Sequence, residues 1–229
     1  MRAVTVADPD LQPTVRMLAI GQGVIFTALC LLWGINHNFG MHLHMPLSVA
    51  TAASALGSAE IFTYRSKGLA RGWLLAQRFE ALALLGAAIL LGLLSALSPI
   101  AYMLLDDESG SNRLFLAIEQ VAYGIVYVSI ALAIVALWAP TQRRFRIIGA
   151  VLVVVLLIIT LIRERIDRGL PSGPDDRIHV LRLIPPFELS HHWDVVFHQL
   201  FVLAIVALVS LAVVYIKRRD LPRAAGAVR

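Results

Sequence analysis

A single cysteine, Cys30, stands in the whole chain. An internal disulfide, a CxxC redox pair and a cysteine-rich zinc site are therefore excluded, and in its apolar surroundings Cys30 reads as a buried space-filling thiol. Charge is scarce as well. Only 15% of residues are Asp, Glu, Lys or Arg, against about a quarter in soluble domains. Walker and Rossmann glycine loops and the G-x-S-x-G elbow are missing, which argues against nucleotide chemistry and serine hydrolysis. No internal repeat or low-complexity tract is evident. What fills the chain is apolar: 59% of 229 residues are hydrophobic, with a mean hydropathy of +0.77.

Uncharged runs of roughly 20 residues match the length that crosses a ~30 Å hydrocarbon core as helix. Six are expected, at about 16–35, 46–64, 73–98 (with a continuation to 104), 114–139, 145–162 and 195–216, with a loop over 163–193. The fold class that follows is an all-α, polytopic membrane helix bundle, one integral domain over residues 1–229. The second run, "PLSVATAASALGSAEIFTY", is rich in small residues, which suit a helix at the centre of a bundle. Ala88, Gly92 and Ala96 form a small-residue row on the third with the same meaning. The N-terminal stretch carries Asp8 and Asp10 and lacks an A-x-A cleavage site, and Leu29 does not fit a lipobox, so the first helix should stay attached.

A net charge of +5 could suggest nucleic acid. Here the excess sits in short clusters at helix ends, the usual orienting pattern, so nucleic acid is not an expected partner. Arg2, Arg16, "YRSKGLAR", "TQRRFR" and the tail "KRRDLPR" fall on one side of the alternating spans. "LLDDESGSNR" and "NHNFGMHLHM" fall on the other. The lysine and arginine excess marks the cytoplasmic side, which places both termini in the cytoplasm of a multi-pass cell-membrane protein, on this composition a bacterial inner-membrane one. All 7 histidines then lie toward the outer side.

Three groups there carry chemistry. The first is "SHHWDVVFHQ". On a helix beginning near His191, with Ser190 as its cap, residues His191, Asp194 and His198 recur at i, i+3 and i+7 on one stripe, and His192 points about 100° away. Imidazoles and a short carboxylate on one face are what a zinc, iron or copper site takes from a helix. Against this, His191, His192 and Trp193 suit the headgroup zone without any ligand. The second group is His37, His42 and His44 in the first connection, with His37 and His44 the better candidates. The third is Glu119, about one and a half turns inside the fourth helix, with Gln120 alongside and Tyr123 and Tyr127 at i+4 and i+8. An ionisable residue at that depth is costly and usually functional. It can serve as ligand, as general base, or as a partner of Arg113. Glu60 and Glu80 read instead as structural ion pairs with Arg65, Arg71 and Arg78.

The segment "FHQLFVLAIVAL" resembles the last helix of the zinc-dependent membrane hydrolase superfamily of alkaline ceramidases and progestin/adipoQ receptors. That resemblance implies a zinc held by histidines of the second and last helices, and cleavage of lipid amides. His198 is the position that matches. Val202 stands where the pattern has a second histidine, Asp194 stands four before, His44 and Ser48 have the helix-two spacing in reversed order, and the family has seven spans.

Three function classes are therefore carried forward. The first is an outward-facing metal site with His198, His191, His37 and His44 as ligands and Glu119 or Asp194 as base, performing metal-assisted hydrolysis of a lipid-like substrate. Zinc is the favoured transition metal, with haem or copper as alternatives. The second is a b-type haem or quinol electron-transfer subunit, pairing His198 with His37 or His44. The third is a cofactor-free accessory subunit or small transporter. Membrane lipid, and in the last two classes other membrane subunits, are the expected partners.

Overall fold

A computed structural model of the chain describes residues 11–39, 44–65, 80–105, 113–138, 141–169 and 193–217. These form six α-helices: α1 (Leu11–Phe39), α2 (His44–Glu60), α3 (Glu80–Leu105), α4 (Arg113–Leu137), α5 (Gln142–Gly169) and α6 (Trp193–Lys217). A π-helical turn, Ile61–Arg65, follows α2. There is no strand among the described residues. Three helices are long and apolar enough to cross a membrane, over Leu84–Leu104, Ala117–Leu137 and Gln199–Lys217.

At the centre α2, α3 and α4 pack on one another as a triangle. Each remaining helix covers one edge: α1 lies on α2 and α3, α5 on α2 and more lightly on α4, and α6 on α4 with a smaller contact to α3. Pairings between residues set the directions. Thr51 meets Gln120, while Leu56 and Ala59 cluster with Ala131 and Ile134, so α2 and α4 run parallel. Gly92 abuts Ile125 and Tyr102 clusters with residues that include Ala117, so α3 runs against α4. Gln22 bonds Ser54 and Leu29 clusters with Leu47, which turns α1 against α2. Glu60 pairs with Arg146 while Leu56 lies near Gly149, which turns α5 against α2. From α1 to α5 the bundle goes up and down.

The packing is inside-out by the standards of a water-soluble domain. Thr51, Ser54, Ser95 and Gln120 are buried, whereas Val24, Leu90, Val151 and Leu208 are each more than half exposed. An apolar belt of that extent has no place in water. Within the belt α2, the helix richest in small residues, is the most enclosed, with Thr51, Ala52, Ala55 and Ala59 all at 0% exposure. Small side chains let its neighbours close in, as the sequence suggested. The row on α3 behaves likewise: a Cβ on Gly92 would lie 2.6 Å from backbone and side-chain atoms of Ile125.

Several boundaries differ from the hydropathy reading. Described helix α3 runs through Pro99 to Leu105, and residues 73–79 of the expected span lie outside the described ones. A proline can sit inside a membrane helix because neighbouring groups take up the freed carbonyl. Helix α5 continues beyond 162 to Gly169, so the first seven residues of the expected 163–193 loop are helical. "RERIDR" is charged but contains no breaker, and Glu164 and Arg168 stand at the favourable i, i+4 spacing. Gly169 and Pro171 are the first stop signals. Cys30 is exposed, not buried. α1 turns the neighbouring Leu29 inward, and the next position falls about 100° away on the outer face.

Candidate functional site

Several buried hydroxyls among the described residues are accounted for by their own helices. Ser95, Ser129 and Thr160 each donate to the carbonyl four residues earlier, at 2.6, 2.7 and 2.6 Å. That is the usual solution where no water competes, and it leaves these residues little to offer a ligand. Other buried polar groups join one helix to another.

Glu119 is the one charged residue among the buried described side chains, at 5% exposure. It sits on α4, the helix with contacts to α2, α3, α5 and α6, and this central position encloses it. Beside it Gln120 is joined across to α2, its Oε1 lying 2.5 Å from the Thr51 hydroxyl. The Thr51 hydroxyl also lies 2.9 Å from the Leu47 carbonyl. One and two turns further in, Tyr123 and Tyr127 stack with ring centroids 5.7 Å apart and exposures of 1% and 5%. The polar stripe expected on this helix faces the bundle. Gln199 of α6, also buried, stands seven residues into its helix, as Glu119 does in α4.

A second polar junction joins the three helices α1, α2 and α3. The Gln22 amide donates to Ser54 at 2.5 Å, and the Ser98 hydroxyl lies 2.5 Å from Gln22 Oε1 and 2.9 Å from its backbone carbonyl. Gln22, Ser54, Ser98, Thr51 and Gln199 escaped the sequence reading. An isolated glutamine in an apolar helix was the one available signal for Gln22 and Gln199. At the opposite end of the bundle Glu60 has its expected ion pair, but with a different partner. Its carboxylate accepts from Arg146 Nη2 at 2.7 Å and Nε at 2.9 Å, and from Gln142 at 2.6 Å. All three bonds tie α2 to α5.

The histidine candidates are placed by backbone register. His44 opens α2, seven and eleven residues before Thr51 and Ala55, and these spacings bring positions within about 20° of one another on a helix. Position 44 therefore belongs to the inward line of α2. His37 lies near the end of α1, in register with partly buried Phe26 and exposed Cys30, at the edge of the packed face. On α6, position 198 precedes Ile205, Val209 and Ile216 by seven, eleven and eighteen residues, and these are 45%, 59% and 70% exposed. Asp194 shares the register of Ile205. The bundle face of α6 carries Gln199, Leu203 and Ala207 instead. The side chains of His37, His44, Asp194, His198 and Arg113 lie outside the described ones, as do the whole residues His42, His191 and His192. Among the described residues no three His, Cys, Asp or Glu gather in a metal-holding group. No known protein family, curated protein or solved structure matches the chain.

Proposed function

We propose that the protein is a multi-pass membrane protein, six spans with both termini cytoplasmic, whose outer end holds a metal-dependent hydrolytic site for a lipid-like substrate. The observation that carries this is Glu119: a carboxylate buried on α4, next to the Gln120 that bonds Thr51 of α2, at a level roughly two turns below position 44 of that helix. A buried carboxylate calls for a cation or a proton. Imidazole and carboxylate suit zinc, so His44 and His37, with Glu119 at the floor, fit such an ion. Bound there, a divalent metal would polarise a carbonyl and acidify water. Glu119 would be the group placed to accept a proton from such a water. The Thr51–Gln120 bond fixes the neighbouring turn of α4, and the apolar walls exclude bulk solvent. The resemblance of the His198 segment to zinc-dependent membrane hydrolases supports the same chemistry.

His198, His191 and Asp194 are the donors that α6 would bring, and the outward register of 198 and 194 favours a second reading. In it the chain is an accessory or electron-transfer subunit whose α6 face meets another membrane protein or shares a haem with it. Detergent-purified protein tells the two apart by absorption spectrum and elemental analysis. One colourless zinc per chain, lowered 10–100-fold in affinity by His44→Ala and by His198→Ala, supports the hydrolase with α6 included. A Soret band, or a metal-free protein that co-purifies with a partner until His198→Ala releases it, sinks the hydrolase and supports the subunit.

A further inference from the structure

The outward apolar face of α5 ends in charge. Val151, Val154 and Ile162 on that face are all more than half exposed. Arg144 precedes Val151 by seven and Ile162 by eighteen residues, and Arg143 precedes Val154 by eleven. These spacings bring positions within about 20° of one another on a helix. The two arginines therefore close the same face, in the first turn of α5, and both are exposed. Phe145, the next residue, is buried and packs against Tyr64 at a ring-centroid distance of 5.8 Å, which fixes that rotation of the helix.

The carboxylate at this end of the bundle is already committed. Glu60 accepts from Arg146 and Gln142, on the side of α5 that meets α2. Arg143 and Arg144 have no ion pair and no side-chain hydrogen bond among the described residues. Two adjacent guanidinium groups thus stand without counter-charge where an apolar face stops. The planar fork of a guanidinium takes a phosphate through two parallel hydrogen bonds, and its stem can lie along apolar surface while the head reaches the boundary. A zwitterionic headgroup brings an ammonium with its phosphate and offsets that attraction. An anionic headgroup brings net negative charge, which basic side chains at a membrane surface favour.

We propose that Arg143 and Arg144 bind the phosphate of an anionic membrane lipid whose acyl chains lie along the exposed face of α5. The site goes beyond the metal reading and needs no metal. It does rest on α5 lying in the membrane.

Mass spectrometry of the intact protein released from detergent, titrated with lipid, tests it. Phosphatidylglycerol should bind at lower concentration than phosphatidylcholine, and soluble glycerol phosphate should not bind in the same range. The double variant Arg143→Gln with Arg144→Gln should weaken phosphatidylglycerol binding about 10–30-fold and leave phosphatidylcholine unchanged. Arg16→Gln with Lys217→Gln removes the same charge at exposed positions of α1 and α6 and should leave both lipids unchanged. Equal losses in the two double variants mean a general charge effect and overturn the site. Equal binding of the two lipids by the wild type overturns it as well, and so does glycerol phosphate binding as tightly as the lipid. If the Arg143, Arg144 variant does not fold, these wild-type comparisons decide. Reporter fusions beyond α5 test its crossing separately, so that reading and this site can fail independently.

Discussion

Thr51 and Gln120 illustrate what a polar side chain is worth inside this bundle. Each is sealed from solvent, at 0% and 2% exposure, and they meet at 2.5 Å. In membrane proteins such interhelical bonds average about 0.6 kcal/mol and reach ~1.7 kcal/mol, because the separated helices also find partners. Thr51→Val and Gln120→Leu should each destabilise, and the double variant should cost less than their sum. The expected coupling is about 0.6–1.7 kcal/mol in a double-mutant cycle read by reversible unfolding in mixed micelles. Additive losses would mean that the two side chains do not hold each other. Glu119, Tyr123 and Tyr127 were legible as a stripe, since an ionisable residue in an apolar run announces itself and helical spacing does the rest. Thr51 was not, because a threonine in a helix of alanines and serines carries no mark of its partner. Nor could spacing decide which face of α6 turns inward. His191, Asp194 and His198 do share a stripe by spacing, yet Gln199, one residue on, is the polar group that α6 gives to the core.

At the scale of elements, close approach of backbones governs the structure. α3 and α4 touch at Gly92 and Gly124, where a Cβ on either residue would run into backbone atoms of the other helix. Backbone cannot swing aside as a long side chain can. Gly92→Ala should therefore force the helices apart and cost about 1–3 kcal/mol, the range for overpacked cores, or more. Gly86 lies on the same helix with nothing within 4 Å of its Cβ position, so Gly86→Ala serves as the matched control and should cost nothing. Helix propensity favours alanine over glycine at both sites, so equal losses at the two, measured by thermal unfolding in detergent, would sink the close-contact account. The row at Ala88, Gly92 and Ala96 was readable beforehand because small residues at four-residue spacing have few other uses in lipid. The far end of α5 was not, since the charges of "RERIDR" end an apolar run without ending a helix. Hydropathy marks where lipid stops, and glycine and proline mark where helix stops.

At the scale of the whole molecule, hydropathy and packing together decide which helices cross the bilayer. α3, α4 and α6 contain windows long and apolar enough by themselves. α2 has no need of lipid-compatible hydropathy, because its neighbours cover it. α5 is the informative case. Its stretch from Ile147 to Ile162 spans roughly 24 Å, with Ile147, Val151, Val154, Ile158 and Ile162 each about half exposed. Left in water, that face would sacrifice about 25 cal/mol for every Å² of apolar surface. Arg146 and Arg163 bracket it in the sequence, charged positions of the kind that mark where an apolar span meets the headgroup zone. A crossing α5 also agrees with the alternating directions of α1 to α5. Reporter fusions after Gly110, Ser172 and Arg229 separate the cases. With six spans, the fusions at 110 and 172 report the outer side and the one at 229 reports the cytoplasm. If α3, α4 and α6 alone cross, 110 and 172 report opposite sides and 229 joins 110. Opposite signals from 110 and 172 would thus remove α5 from the membrane. They would also separate the Glu119 end of α4 from the far end of α5, on opposite faces of the bilayer.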